Sequence, residues 1–189
     1  KTLRSIKTML VVSQPRYIPA IMYLQRIYSS SQFIVFDIVQ RQARGFENRN
    51  KHFFPEPKWL TIPIDFSSRE LIKNVFIDDF SWIEVHKELI TQSYKAHPYF
   101  NKDFLDYFYD VDKKKTYFSY LMVCFIQKIF KFLKINLQNN FIFASDLIFH
   151  SEVSSGPVFL KDLIISTGIK TYLTGKNAIE YGLIDELNK

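Results

Sequence analysis

Met9-Leu10-Val11-Val12 is a short unbroken apolar run, which predicts a buried strand. Two prolines in Ser13-Gln14-Pro15-Arg16-Tyr17-Ile18-Pro19 then force an extended loop. Ala20 to Tyr28 has helical periodicity, with Ile21, Leu24, Ile27 and Tyr28 expected on one face. Phe33 to Phe36 is a second apolar run and ends at Asp37. Strand, loop, helix and strand in this order predict a βαβ unit with parallel pairing. Ligands in such sheets bind beyond the carboxyl ends of the strands, which is where Ser13 to Tyr17 and Asp37 to Gln40 fall.

Arg41 to Pro57 has no apolar period and reads as a polar loop spotted with aromatics. Trp59 to Ile64 and Val75 to Ile77 read as strands, the former with a proline of the edge type. From Ser81 the period becomes helical. Ser81 with Glu84 forms a capping-box pattern, and Trp82, Val85, Leu89 and Ile90 are the expected apolar positions. Asn101 to Tyr109 and Thr116 to Ile135 predict two further helices, the second long and rich in Phe, Leu and Ile. Phe141 to Phe143 returns to strand. Gly156-Pro157 opens a helix that Gly168 closes, Thr171 to Thr174 is a last short strand, and a final helix follows Gly175. The expected fold is α/β, with a mainly parallel sheet flanked by helices. Residues 1–189 are expected to form one domain with a helical subregion at about 81–135.

Composition narrows the classes. With 47% hydrophobic and 23% charged residues among 189, disorder is excluded. The single Cys124 excludes an intramolecular disulfide framework and a multi-cysteine zinc site, and points to a reducing compartment. Cys124 lies in an apolar helical stretch, as a structural thiol does. The longest apolar stretch without charge, Thr116 to Gln127, falls short of a membrane span, and no signal-peptide core is present, so a cytoplasmic location is expected. Neither GxGxxG, a P-loop, HExxH nor GxSxG occurs, and the four histidines lack zinc-ligand spacing; no metal site is expected. Lys128, Lys131 and Lys134 are expected on the solvated side of their helix.

Charge is uneven along the chain. From Lys1 to Lys58 ten basic residues face only three acids, and six of the seven arginines lie there, while the remainder is nearly balanced. Arginine offers a fork of donors suited to phosphate or carboxylate. This basic segment also holds the remaining candidate constellation: Gln14, Arg16, Tyr17, Asp37, Gln40, Arg44, Asn48, Arg49 and Asn50. Such groups could take a polyoxygenated anion such as a nucleotide, nucleotide sugar or phosphorylated sugar. Asp37 could serve as general base or as acceptor for a sugar hydroxyl. The competing reading is that Asn48 and Asn50 only satisfy loop backbone. The alternation of basic and aromatic residues from Arg44 to Phe54 is a weak nucleic-acid feature, and no recognised binding motif supports it.

The same residues resemble the WbqC-like protein family. Ser13-Gln14-Pro15-Arg16-Tyr17-Ile18-Pro19 is similar to its His-Gln-Pro-x-Tyr-x-Pro, and Asp37-Ile38-Val39-Gln40 to its Asp-x-Val-Gln. Arg44-Gly45-Phe46-Glu47-Asn48-Arg49-Asn50 resembles Arg-Gly-Phe-Gln-Asn-Arg-Asn, and Trp59-Leu60-Thr61-Ile62-Pro63 resembles Trp-Leu-Thr-Val-Pro. Trp82, His86, Lys87, Tyr94, Pro98 and Phe100 match its helical part, and Ser145, Tyr172 to Gly175 and Tyr181 its end. The family's leading histidine is Ser13 here, and serine does not titrate near neutral pH. From the resemblance, the family's usual C-terminal segment is expected to lie beyond Lys189.

What the resemblance implies is a sugar-modifying enzyme of surface polysaccharide (O-antigen) biosynthesis, an acyl or aminoacyl (glycine) transferase on a nucleotide-linked amino sugar. On that expectation Asp37 and Ser13 are the catalytic candidates. Gln14, Arg16, Tyr17, Gln40, Arg44, Asn48, Arg49, Asn50, Trp59, Ser145 and Gly175 would bind substrate, with Tyr17 and Trp59 as apolar walls. The expected partner is an anionic small molecule and the cofactor candidate is a nucleotide. Two alternatives stand beside it: a binding or assembly protein that has lost the chemistry, motivated by Ser13, and a nucleic-acid module, motivated by the basic loop.

Overall fold

The computed structural model describes residues 8–40, 45–52, 55–64, 70–137, 140–147, 157–175 and 182–187. The chain forms two compact units. One comprises Lys1–Ser13, Ile21–Phe36 and Leu137–Lys189; the other comprises Gln14–Ala20 and Asp37–Asn136. No helix among the described residues is long and apolar enough to cross a membrane.

The first unit is α/β. Strands β1 (Leu10–Ser13), β2 (Gln32–Val35) and β7 (Asn140–Phe143) form a parallel sheet in the order β1-β2-β7. The register runs Val11 to Phe33 to Phe141 and Ser13 to Val35 to Phe143. The apolar runs predicted these strands because a strand inside a helix-covered parallel sheet is buried on both faces. Leu10, Val11, Ile34 and Val35 are accordingly inaccessible. The predicted last strand is a single parallel bridge from Tyr172 to Leu10, held by Leu10 N–H to Thr171 O at 2.9 Å and Leu173 N–H to Leu10 O at 2.8 Å.

Helix α1 (Ile21–Ser29) joins β1 to β2. Its buried face is Tyr23 and Ile27, one turn apart, not the expected face through Ile21 and Tyr28, which are exposed. Tyr23 packs edge-on against Phe33 of the central strand at 5.8 Å, so an aromatic contact settled the rotation of the helix. Helix α5 (Pro157–Ser166) stacks Phe159 on Phe36 at 6.0 Å, and the short helix α6 (Leu183–Leu187) contacts α5. Gly168 follows α5 with φ +67°, as the helix-ending glycine predicted. Gly168→Ala is therefore expected to lower stability by about 1–2 kcal/mol, the cost of a Cβ in the left-handed region, although open space surrounds that position; urea unfolding measures it.

The second unit holds the helical block and two small antiparallel ladders. Strands β3 (Arg49–His52) and β4 (Lys58–Thr61) pair with Asn50 opposite Leu60 and Lys51 opposite Trp59. The loop expected from Arg41 to Pro57 thus contains a strand. Arg49-Asn50-Lys51-His52 has no apolar residue, so nothing in its pattern signals the pairing. Strand β5 (Phe76–Ile77) pairs with β6 (Thr116–Tyr117), two residues expected in the long helix.

Helices α2 (Trp82–Tyr94), α3 (Lys102–Tyr109) and α4 (Phe118–Phe132) contact one another in sequence order. Helix α4 begins at Phe118 because its N–H is taken by Val75 O at 2.9 Å. The capping box is not formed. Ser81 is already helical, and its N–H and hydroxyl both donate to the Asp79 carboxylate, at 2.8 and 2.9 Å. At α3 a side-chain cap does form, with Asn101 Oδ1 accepting from Phe104 N–H at 2.7 Å. Val85 of α2 is exposed, and Ile83, His86 and Ser93 are buried with Trp82 instead. Lys87 and Lys102 share Asp106 at 2.8 and 2.7 Å; these hydrogen bonds, that of Lys102 first, hold the Asp106 carboxyl down to about 2. Lys128 is not on a purely solvated side. Its ammonium donates to Tyr107 O and Asp110 O at 2.7 and 2.6 Å, pinning α4 to the end of α3.

Candidate functional site

The candidate residues divide between the two units. Ser13, Ser145 and Gly175 belong to the first. Ser13 ends β1, and its carbonyl accepts from Phe36 N–H at 2.9 Å. Ser145 is exposed in a 3₁₀ turn spanning Ala144–Asp146. Gly175 lies where an added Cβ would meet Arg26 Nη1 at 3.4 Å. The rest belong to the second unit, except that Arg44 lies outside the described residues.

Within the second unit three motif segments are stitched together by backbone and amide bonds. Tyr17 N–H donates to Glu47 O at 2.8 Å, which joins the proline loop to the Gly45–Asn48 turn. Asn48 is buried; its Nδ2 donates to Ile62 O at 2.9 Å while Ile62 N–H donates to Asn48 O at 2.8 Å. Asn50 Nδ2 donates to Ile18 O, and its Oδ1 accepts from Lys51 N–H at 2.8 Å. Both amides therefore already serve the fold, and a substrate would compete with these bonds. Arg49 Nε donates to Gly45 O at 3.1 Å. Gly45 is required by close approach: a Cβ there would lie 1.9 Å from Glu47 Oε2, inside the buried carboxylate.

Ile18 carries φ +43°, a rare conformation for a β-branched residue. The Asn50 amide on its carbonyl holds it there. Asn50→Ala is expected to cost about 1–3 kcal/mol, the loss of a bond that leaves a part-buried carbonyl unpaired, as chemical denaturation would read.

Tyr17 is in the interior. Its ring meets Trp82 edge-on at 5.8 Å and Phe125 at 5.8 Å. Its hydroxyl bonds His86 Nδ1 at 2.8 Å and the Tyr109 hydroxyl. Burial, then the neighbouring Tyr109, push the Tyr17 phenol well up, and burial pushes Tyr109 up, so both stay protonated. His86 is held down to about 4 by burial, against a hydrogen bond to the Thr61 backbone that acts the other way. A neutral imidazole with one N–H committed to a carbonyl accepts at Nδ1. The order of donation is then Tyr109 to Tyr17 to His86 to Thr61, a hydrogen-bonded line from α3 through the proline loop and α2 to β4. His86 matched the family by position, but its role is visible only once Tyr17, 69 residues away, is placed beside it.

Asp37 is 1% exposed, and its backbone carbonyl accepts from Lys73 N–H at 2.7 Å. Val39 O accepts from Ile72 N–H at 3.0 Å, and Gln40 bridges to Leu71. The Asp37–Gln40 segment thus runs along residues 71–73, and in this conformation the Asp37 carboxyl is out of direct reach of a dissolved substrate. Gln14 and Arg16 are half-buried.

Trp59 and Arg49 do come together, at the surface. Side chains alternate across the β3–β4 ladder, so Arg49, Lys51 and Trp59 share one face and Asn50, His52 and Leu60 the other. The Arg49 guanidinium carbon lies 4.3 Å, and Lys51 Nζ 5.0 Å, from the Trp59 ring centre. Trp59 is 40% exposed, and Phe46, 42% exposed, lies 5.7 Å from it. An aromatic face carrying two cations offers stacking and charge to an anionic ring-bearing molecule. Phe46 was not among the expected ligand contacts, and only the fold of its turn brings it to Trp59. Cys124 is half-buried on α4 with its thiol pushed up by burial, as suits an unreactive thiol.

The chain is similar to known proteins. It is 28% identical over 92 residues to a Mycobacterium tuberculosis (strain ATCC 25618 / H37Rv) protein described as Uncharacterized protein Rv1507c. The matched part is 47% of this chain and 40% of that relative, so the chain spans less than half of the relative's length. No solved structure matches the chain. The sequence profile of the WbqC-like protein family matches residues 14–188, nearly the whole chain, from the proline loop through the last helix. The chain belongs to the WbqC-like protein family.

Proposed function

We propose that the exposed face of the β3–β4 hairpin binds a nucleotide-linked or phosphorylated amino sugar, in a protein that transfers an acyl or aminoacyl group to it during glycan assembly. One observation carries the reading: Trp59 and Phe46 stand exposed and adjacent with Arg49 and Lys51 against Trp59, all in or beside the family's matched motifs. The aromatic face suits a base or sugar ring, and the two cations suit phosphate. Arg16 and Arg44 would add charge. Asp37 would act as base or hydroxyl acceptor only after the 37–40 segment moves, given its burial.

The test is thermal-shift and calorimetric titration with UDP-N-acetylglucosamine, other nucleotide sugars and ATP. At least one is expected to stabilise the protein. Trp59→Ala is expected to weaken that ligand about 5- to 150-fold, the worth of ~1–3 kcal/mol of stacking, and Arg49→Ala to weaken it as well. Absence of stabilisation by every ligand, or unchanged binding in both variants, would sink the reading. The burial of Asp37 favours a second reading, binding without turnover. Acyl-transfer turnover by the unaltered protein that is abolished by Asp37→Asn would exclude it.

A further inference from the structure

The inward face of the same hairpin borders a different space. Asn50, His52 and Leu60 face a cavity of about 520 Å³, within the size range of small-molecule sites. Ile90 and Tyr94 of α2, Phe104, Leu105 and Phe108 of α3 and Ile129 of α4 supply half of its remaining wall. All of these belong to the second unit.

Three features of this wall are not explained by packing. His52 is 5% exposed; its Nδ1 is held by the Ser93 hydroxyl at 3.1 Å, while its buried Nε2 has no hydrogen-bond partner among the described residues. A buried polar atom left unpaired costs free energy and calls for a ligand or an ordered water. Second, no acidic residue is among those lining the cavity, so nothing in its wall repels an anion. Third, the strained Ile18 is part of the wall, and Tyr99, 95% exposed, stands at it, an aromatic ring that the fold itself does not cover.

We propose that this cavity binds an apolar carboxylate, such as a medium-chain fatty acid or the acyl portion of a larger molecule. The carboxylate lies toward His52 Nε2, and the hydrocarbon lies among Ile90, Phe104, Phe108 and Ile129. The Ser93 contact leaves Nε2 of His52 free to donate to a carboxylate oxygen when Ser93 donates to Nδ1. The charge of the carboxylate strengthens that hydrogen bond, and the apolar wall removes the chain from water. The site uses the opposite face of the hairpin from the anionic-ring patch and does not depend on that patch being a ligand site.

Decanoate and 1-decanol, titrated separately below their aggregation limits and followed by calorimetry and by the His52 ring signals in NMR, test this. Decanoate is expected to bind, to shift the His52 signals and to give contacts to the Phe104 and Phe108 rings, with decanol at least 10-fold weaker. His52→Leu is expected to weaken decanoate at least 10-fold and to leave decanol nearly unchanged. Ile129→Trp, which fills the cavity, is expected to abolish both. The NMR contacts in the unaltered protein stand whether or not a variant folds. No decanoate binding, binding without contacts to those rings, or decanol binding as tightly as decanoate would overturn the proposal.

Discussion

Replacing Tyr17 by alanine is expected to lower the unfolding free energy by about 3–5 kcal/mol, the range for emptying a large aromatic site in a core. Tyr17 is wholly inaccessible and touches Trp82, His86 and Phe125. Its removal opens a cavity at the centre of the aromatic cluster. It also leaves His86 Nδ1 and the Tyr109 hydroxyl without the partner they share. Tyr17→Phe separates the two contributions. It keeps the ring and is expected to cost about 1–3 kcal/mol, because two buried polar groups then lose a bond each. Urea unfolding of both variants reads the difference. Equal losses for the two would mean that the hydroxyl line, and not the packing, accounts for the whole effect.

Acidification is expected to destabilise the protein through His86. Its folded value of about 4 lies below its ordinary value of 6.5 because burial disfavours the imidazolium. Between these values the unfolded chain binds the proton more readily than the folded one, so stability falls as pH falls from about 6.5 to about 4 and is flat above that window for this group. A shift of this size in a fully dry site would be worth ~3 kcal/mol; a discount for solvent screening leaves about 2 kcal/mol. Tyr17 cannot compensate, since its hydroxyl already donates to Nδ1 and would face a proton there. Denaturation midpoints from pH 7.5 to 4.5 measure the slope, and His86→Gln is expected to flatten it. An unchanged slope in that variant would assign the pH dependence to other groups.

The two effects share a cause. Tyr17 belongs to the loop that a βαβ reading places beyond a strand end, where ligands bind. Position along the chain made it a candidate for contact with substrate, yet the structure uses it as the anchor that ties the loop to α2, α3 and α4. Trp59 went the other way: an aromatic in an apparent strand, it stands 40% exposed with Arg49 against it. A residue's type says what it can bond, but which side of the surface it falls on is decided by elements distant in sequence.

Chain periodicity determined much here. Short apolar runs located β1, β2 and β7, because strands of a parallel sheet are apolar at successive positions where helices cover both faces. Pro157 and Gly168 bounded α5, because each favours one backbone conformation or permits another. The motifs and their order pointed to the family. Tertiary structure alone decided the rest. The polar strand β3 exists because β4 supplies its hydrogen bonds, and no side-chain pattern encodes that. The rotation of α1 was set by Tyr23 against Phe33, and the start of α4 by the carbonyl of Val75. The two faces of the β3–β4 hairpin, one cationic and aromatic, the other closing a cavity, follow from pairing register. Register is a long-range property: it depends on which residues meet, and a linear sequence records only which residues follow one another.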